Sequence, residues 1–189
     1  MNHIKLSFCF IAMLVTLAGS VCAQEVRYTD ASAFPIYGKV SDNTDGLYER
    51  LPSYLQGISR DPVWYLGRQS AGLFVRFRSN STTISARWES TFDNTMPHMT
   101  DTGTKGLDLY ALVDGQWRHV CSAQPQGKRS ERTIISYMDP IEREYMLYLS
   151  LYDGVTSLEI GVDENAFIGQ PAIDSPSREK PIVMYGTSI

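Results

Sequence analysis

A serine that follows an apolar run and a glycine is placed for acyl transfer, and this chain carries one in Pro181-Ile182-Val183-Met184-Tyr185-Gly186-Thr187-Ser188. Ile182 to Tyr185 is apolar at every position, the pattern of a strand covered on both faces of a parallel sheet. Gly186 permits a sharp turn after it, which sets Ser188 at the carboxyl end of the strand, where open α/β sheets bind their ligands. A nucleophilic serine needs a base to take its proton and oriented donors for the oxyanion. The histidines are His3, His98 and His119. His98 lies in a Met-Pro-His-Met loop and reads as an ordinary loop residue. By strand alternation His119 shares a face with Trp117 and Cys121, which suits a cross-strand structural contact better than a catalytic base. Cys121 has no acid-paired histidine nearby to activate it and reads as a small apolar core residue.

The remaining polar and aromatic candidates have structural readings of their own. Asp108 alternates with Leu107 and Leu109 and is expected to face away from the core. Trp64, Tyr65, Trp88 and Trp117 could stack on sugar rings, but large aromatics fill β-sandwich interiors, so most are expected in the core. No metal-ligand spacing is present, and neither a metal nor a cofactor is implied.

The elements that must position these residues are strands. Leu73 to Arg78 and Ile84 to Glu89 alternate apolar with polar, with Ser85, Arg87 and Glu89 read as outward. Asp114-Gly115 separates Leu107–Val113 from Trp117–Ala123, and Asp153-Gly154 separates Tyr145–Tyr152 from Val155–Val162; both are read as two-residue hairpin turns. No segment between Glu25 and Asp163 shows a sustained helical period. The expected fold is therefore an all-β antiparallel sandwich, with a jelly-roll topology open, over residues 24–164. Residues 165–180, with Pro171 and Pro176, read as a linker, and 181–189 as the first strand of an α/β domain.

Two motifs in this order, Gly106-Leu107-Asp108-Leu109-Tyr110 and Gly186-Thr187-Ser188, resemble the amino-terminal Gly-x-Asp-Leu-Tyr domain and the first catalytic block of secreted bacterial SGNH (GDSL-type) hydrolases. Thr187 stands where the block usually has Asp. The resemblance runs over about residues 35–189 and includes the stretch from Tyr148 to Gly161. It implies that Ser188 is the nucleophile and that a carboxyl-terminal hydrolase domain, a partner to this one, supplies a Gly and an Asn for the oxyanion hole and an Asp-x-x-His bearing acid and base. On that basis the chain is expected to stop just after the nucleophile, to be inactive alone, and to belong to an esterase acting on a small ester such as an acetylated carbohydrate. The alternative is a freestanding carbohydrate-binding or adhesion module.

Met1 to Ala23 has the form of a secretory signal: Lys5, an apolar run from Leu6 to Leu17, and a Val21-Cys22-Ala23 ending. Cleavage after Ala23 is expected, giving a secreted or periplasmic protein with no integral membrane segment. Cys9 and Cys22 leave with the signal, so Cys121 remains alone and no internal disulfide can form. The mature chain has 16 basic and 21 acidic side chains and no basic cluster, which argues against a nucleic-acid partner.

Overall fold

The computed structural model describes residues 25–173, and within them nearly every consecutive strand changes sheet. The strands are β1 (Val26–Asp30), β2 (Ile36–Tyr37), β3 (Phe74–Ser79), β4 (Ile84–Ser90), β5 (Leu107–Val113), β6 (Gln116–Ala123), β7 (Arg129–Ile135), β8 (Arg143–Tyr148), β9 (Val155–Asp163) and β10 (Ile168–Gly169). One sheet runs β1-β9-β4-β7; the other runs β10-β3-β8-β5-β6, with β2 also paired to β3. All pairings are antiparallel. Leaving aside the short β2 and β10, the eight remaining strands divide four and four in the order of a jelly roll. The sandwich expected from the strand spacing is therefore present, and its open topology is resolved.

Among those eight, only β5 and β6 are consecutive strands paired in one sheet, and they form the hairpin that Asp114-Gly115 announces. Val113 pairs with Gln116, and the two turn residues have φ of 51° and 73°, both left-handed as the tightest hairpin turn requires. The hairpin read at Asp153-Gly154 is corrected by the structure. There β8 pairs with β3 and β5, whereas β9 pairs with β1 and β4 in the opposite sheet. Asp153 is fully buried, and its carboxylate accepts from the backbone N–H groups of Phe92 (2.9 Å), Asn94 (2.7 Å) and Gly154 (2.7 Å). The aspartate thus fastens a crossover between sheets, and its glycine has no left-handed φ.

The inward faces form one core. Val75, Phe77, Tyr145, Leu147, Leu107 and Leu109 from the six-stranded sheet meet Ile84, Ala86, Trp88, Leu158, Ile160 and Val162 from the other, all buried. Phe77 and Tyr145 stack across the β3–β8 pair with centroids 5.2 Å apart. The outer face of the four-stranded sheet is charged and paired with itself: Arg87 meets Glu131 at 2.9 Å, Arg129 meets Glu89 at 3.0 Å, and the Arg87 guanidinium lies 3.6 Å from the Tyr28 ring centroid. The Arg87 hydrogen bond, seconded by the Tyr28 hydroxyl, holds the Glu131 carboxyl below the usual carboxylate range.

Two short helices interrupt the strands where no helical period was read, α1 (Asp61–Gly67) and α2 (Asp101–Lys105). At seven and five residues they are too short to show a period, and α1 is marked instead by Pro62 in its first turn. Among the described residues no helix is long and apolar enough to cross a membrane. Residues 165–173, the start of the stretch read as a linker, lie along the six-stranded sheet. Ile168 and Gly169 pair with Ser79 and Arg78, and the Arg78 guanidinium donates to the Gln170 carbonyl at 2.8 Å.

Candidate functional site

The Gly-Leu-Asp-Leu-Tyr segment is the best place to begin, because each residue type has a separate physical reason. Gly106 leaves α2 and enters β5 where a Cβ would stand 2.3 Å from the Thr102 carbonyl oxygen and 2.8 Å from that of Ala123. Both obstacles are backbone, so the position is closed to any side chain. Leu107 and Leu109 point into the core and are fully buried. Asp108 and Tyr110 face the other way, on the outer side of the six-stranded sheet. Ser122 donates its hydroxyl hydrogen bond to the Asp108 carboxylate, and His119 Nε2 lies 3.3 Å from the same hydroxyl and 3.9 Å from Asp108 Oδ1. The expectation that Asp108 faces away from the core holds.

Lys105, one residue upstream, is 2% exposed and was missed in the sequence. Its ammonium bonds Asp93 and lies 3.5 Å from Asp101, while its carbonyl accepts from Trp88 Nε1 (3.1 Å) and Ser150 Oγ (3.2 Å). Burial pulls its pKa down, but the Asp93 and Asp101 carboxylates outweigh that and hold the ammonium above the ordinary lysine value. The lysine fixes the start of the motif strand to the 92–94 loop.

A β-bulge between Leu109 and Tyr110 corrects the reading of β6. Leu109 pairs with Cys121 but Tyr110 pairs with His119, leaving Val120 as the extra residue. Cys121 therefore packs on the core, as expected of it, and His119 turns to the outer face, where its ring meets Tyr110 edge-on at 5.3 Å. The face shared by Trp117, His119 and Cys121 does not exist; Trp117 and His119 share one without the cysteine.

That outer face is an aromatic row crossing the sheet. Tyr37 stacks on Phe74 at 5.3 Å, Phe74 meets Tyr148 at 4.8 Å, and Tyr148 meets Tyr110 at 5.5 Å. Asp108, Tyr110, Trp117, Met146, Tyr148 and Leu151 line a shallow depression of about 370 Å³ in it. Burial, with the neighbouring Tyr110, pushes the Tyr148 phenol pKa upward. At its edge Arg76, which alternation turns outward with Arg78, and Glu144, not singled out in the sequence, are buried at 4% and 8% exposure with 3.4 Å between them. Arg76 donates to the Ile173 carbonyl at 2.8 Å, Glu144 accepts from the backbone N–H of Ala172 and Ile173, and the guanidinium sits 5.6 Å from the Tyr37 ring and 5.4 Å from Trp117. No signal in the sequence ties two charges 68 positions apart to a strap that follows them.

The other candidates are distributed. Trp88 is core, 2% exposed; Trp64 and Tyr65 ride on α1, where Tyr65 packs on Phe92 at 4.6 Å and donates to Asn94. Of the four aromatics named for a sugar platform, Trp117 alone belongs to the aromatic face. His98 is exposed in the loop closed by the Met96–Met99 bridge. Ser188, the signal segment and the strand at 181–189 lie outside the described residues. Among those described, no group of histidine, cysteine and carboxylate side chains could hold a metal ion.

Comparison with known proteins places this arrangement. A GDSL-like lipase from Bacteroides ovatus superposes with a TM-score of 0.74 at 33% identity over 77% of this chain. A salicylyl-acyltransferase, SsfX3, from a tetracycline biosynthetic pathway shares the fold at a TM-score of 0.56 and 16% identity over 80% of the chain. The chain spans 43% of the length of each. No curated protein sequence matches it. The family described as GxDLY, the N-terminus of SGNH-hydrolase-type esterases, matches residues 26–168, and with its namesake residues at Gly106, Asp108, Leu109 and Tyr110 the chain belongs to that family.

Proposed function

We propose that this domain is the amino-terminal part of an exported esterase whose nucleophile is Ser188, and that the partner domain following it carries the acid, the base and most of the oxyanion hole. The reaction is acyl transfer: the Ser188 hydroxyl adds to the ester carbonyl, its proton passes to the base, the alcohol leaves, and water or a second alcohol takes the acyl group from the serine. The substrate is a small ester, with an acetylated carbohydrate as the class to test first. Export follows from the charged start, apolar run and Val-Cys-Ala ending of residues 1–23.

The observation that carries this reading is the family match over residues 26–168 with a buried-strand pattern and Gly-Thr-Ser following it in the same chain. The test is Ser188→Ala in the protein extended through its hydrolase region. Turnover of an acetyl ester should fall about a thousandfold or more with folding intact, the scale for deleting a covalent nucleophile. The 189-residue chain should not react with a fluorophosphonate. Near-normal turnover in Ser188→Ala would sink the nucleophile assignment. The rival reading, a freestanding carbohydrate-binding module, draws on the partly exposed Tyr110, Trp117 and Tyr148.

A further inference from the structure

The two outer faces of the sandwich differ in a way that solvent alone does not explain. That of the four-stranded sheet is laced with ion pairs, the ordinary dress of a face in water. That of the six-stranded sheet confines its ion pairs, Arg76–Glu144 and Arg78–Glu142, to β3 and the start of β8 and otherwise presents Tyr37, Phe74, Tyr110, Trp117 and Tyr148, with Leu151 at its margin 49% exposed. A contiguous apolar patch of this kind marks a surface that something covers. Resting on the reading of the chain as the front of a hydrolase, we infer that the hydrolase domain of the same polypeptide seats on this face, with Trp117 and Tyr148 at the centre of the contact and Leu151 at its margin.

Three observations select that occupant. First, the strap leaves the domain here: Arg76 and Glu144, side chains of this very face, hold Ala172 and Ile173. Second, only nine residue steps separate Ile173 from Ile182, where the next strand pattern begins, and a fully extended chain spans at most about 30 Å over them. Reaching the far sheet would mean rounding an edge and crossing a sandwich about 10 Å thick, which consumes at least a third of that length before any contact is made. Third, five strands at about 4.8 Å spacing and about 20 Å of strand length give roughly 500 Å² on this side. Doubled for the two partners, that falls within the range of about 600–1,500 Å² for contacts between domains of one chain. The polar margin of Asp108, Ser122 and His119 supplies hydrogen-bonding groups for the rim.

Hydroxyl-radical footprinting with mass spectrometry tests this by comparing the 189-residue chain with the protein extended through the hydrolase region. Trp117 and Tyr148 should oxidise roughly tenfold more slowly in the extended protein, as expected for the dry centre of an interface, while Tyr137, 99% exposed elsewhere, should not change. Leu151→Arg in the extended protein should return Trp117 to the rate of the short chain with Tyr137 still unchanged. Equal rates at Trp117 in both proteins would overturn the inference, as would protection that appears only at high protein concentration, which means a second copy, or protection of the short chain by acetylated xylo-oligosaccharide, which means a sugar site. Fluorophosphonate labelling of Ser188 in the same extended sample separates the two readings: a labelled serine without footprint protection defeats the docking face alone, and an unlabelled serine defeats the esterase reading.

Discussion

Replacing Gly106 by alanine isolates what the first residue of the family motif does. Its φ is −75° and ψ 173°, extended backbone that alanine adopts freely, so no conformational strain enters. The cost is steric: the new methyl would sit 2.3 Å from the Thr102 oxygen and 2.8 Å from the Ala123 oxygen, and both belong to backbone. Overpacking of this order costs about 1–3 kcal/mol. Relief by moving β5 also stretches the 3.1 Å hydrogen bond from the Gly106 N–H to the Thr102 carbonyl, worth about 1 kcal/mol. The reduced freedom of the unfolded alanine chain returns about 0.4–1 kcal/mol. The net loss is about 1–3.5 kcal/mol, or about 2–14 °C in Tm for a domain of this size. Gly115→Ala is the control, with the opposite physics: φ is +73° and nothing stands within 4 Å, so only left-handed strain acts and about 1 kcal/mol is expected. Urea melts of the 189-residue chain measure both, with unchanged slopes showing that the midpoints report stability. If Gly106→Ala falls within about 0.5 kcal/mol of the parent, or costs less than Gly115→Ala, the close approach of α2, β5 and β6 is not what reserves this position for glycine.

Three further substitutions probe the buried charges and their partners. Asp93 already has φ of 56°, which asparagine tolerates equally, so Asp93→Asn removes charge without new strain; it should cost about 1–3 kcal/mol by leaving Lys105 short of its nearest partner, against under about 0.5 kcal/mol for the i, i+4 partner Asp101→Asn. The Lys105 pKa is raised on folding, so this difference is complete below the ordinary lysine value near 10.4 and is lost as pH rises through the folded value; paired melts at pH 7 and at successive pH values above about 10.4 check the sign, the difference shrinking only there. Asp163 works in the other direction: burial alone would raise its pKa, but Thr82 donates to it from both its N–H and hydroxyl at 2.7 Å, with Ser81 and Thr83 assisting, and the net shift is downward. Its contribution is therefore present above the unfolded carboxyl value near 3.9 and vanishes as pH falls through the folded one, so Asp163→Asn should cost about 1–3 kcal/mol at pH 7 and progressively less in acid, and a constant penalty down to pH 2 would refute the assignment.

What could be read from the residues was whatever depends on near neighbours. Alternation placed Ile84, Ala86 and Trp88 inward, and Asp114-Gly115 marked its hairpin because both turn residues need left-handed φ. The same dipeptide at 153–154 misled, because a turn signal states that the chain reverses and not which sheet receives it; Asp153 is occupied with the 92–94 backbone, a contact some sixty positions away. The register of β6 was lost to one extra residue, Val120, which a period of two cannot reveal. Arg76 looked like a solvated charge because alternation reports which side a residue takes, while the strap decides whether that side is wet; Glu144 and Lys105 carry no local signal of the strap and the 92–94 loop that they bond. Motif resemblance reached further than periodicity, since it supplied the family, yet it offered no account of why Asp108 and Tyr110 are turned outward; the sheet supplies that.

The pairing of β1 with β9 bears on how the domain is made. Arg27 lies opposite Val162 and also donates to the Glu164 carbonyl, 137 positions along the chain. The first of these strands to emerge from a ribosome or an export channel must therefore wait for almost the last before it has a partner, and β4, which can pair with β7 earlier, keeps its other edge open until β9 arrives. Contacts this distant in sequence slow the search for the native state, and until they form the waiting strands expose unpaired edges. A chain ending before Val155 would leave β1 without its partner altogether, so assembly has to follow synthesis of nearly the whole domain, and the vulnerable interval is the one in which β4 and β7 are present and β9 is not.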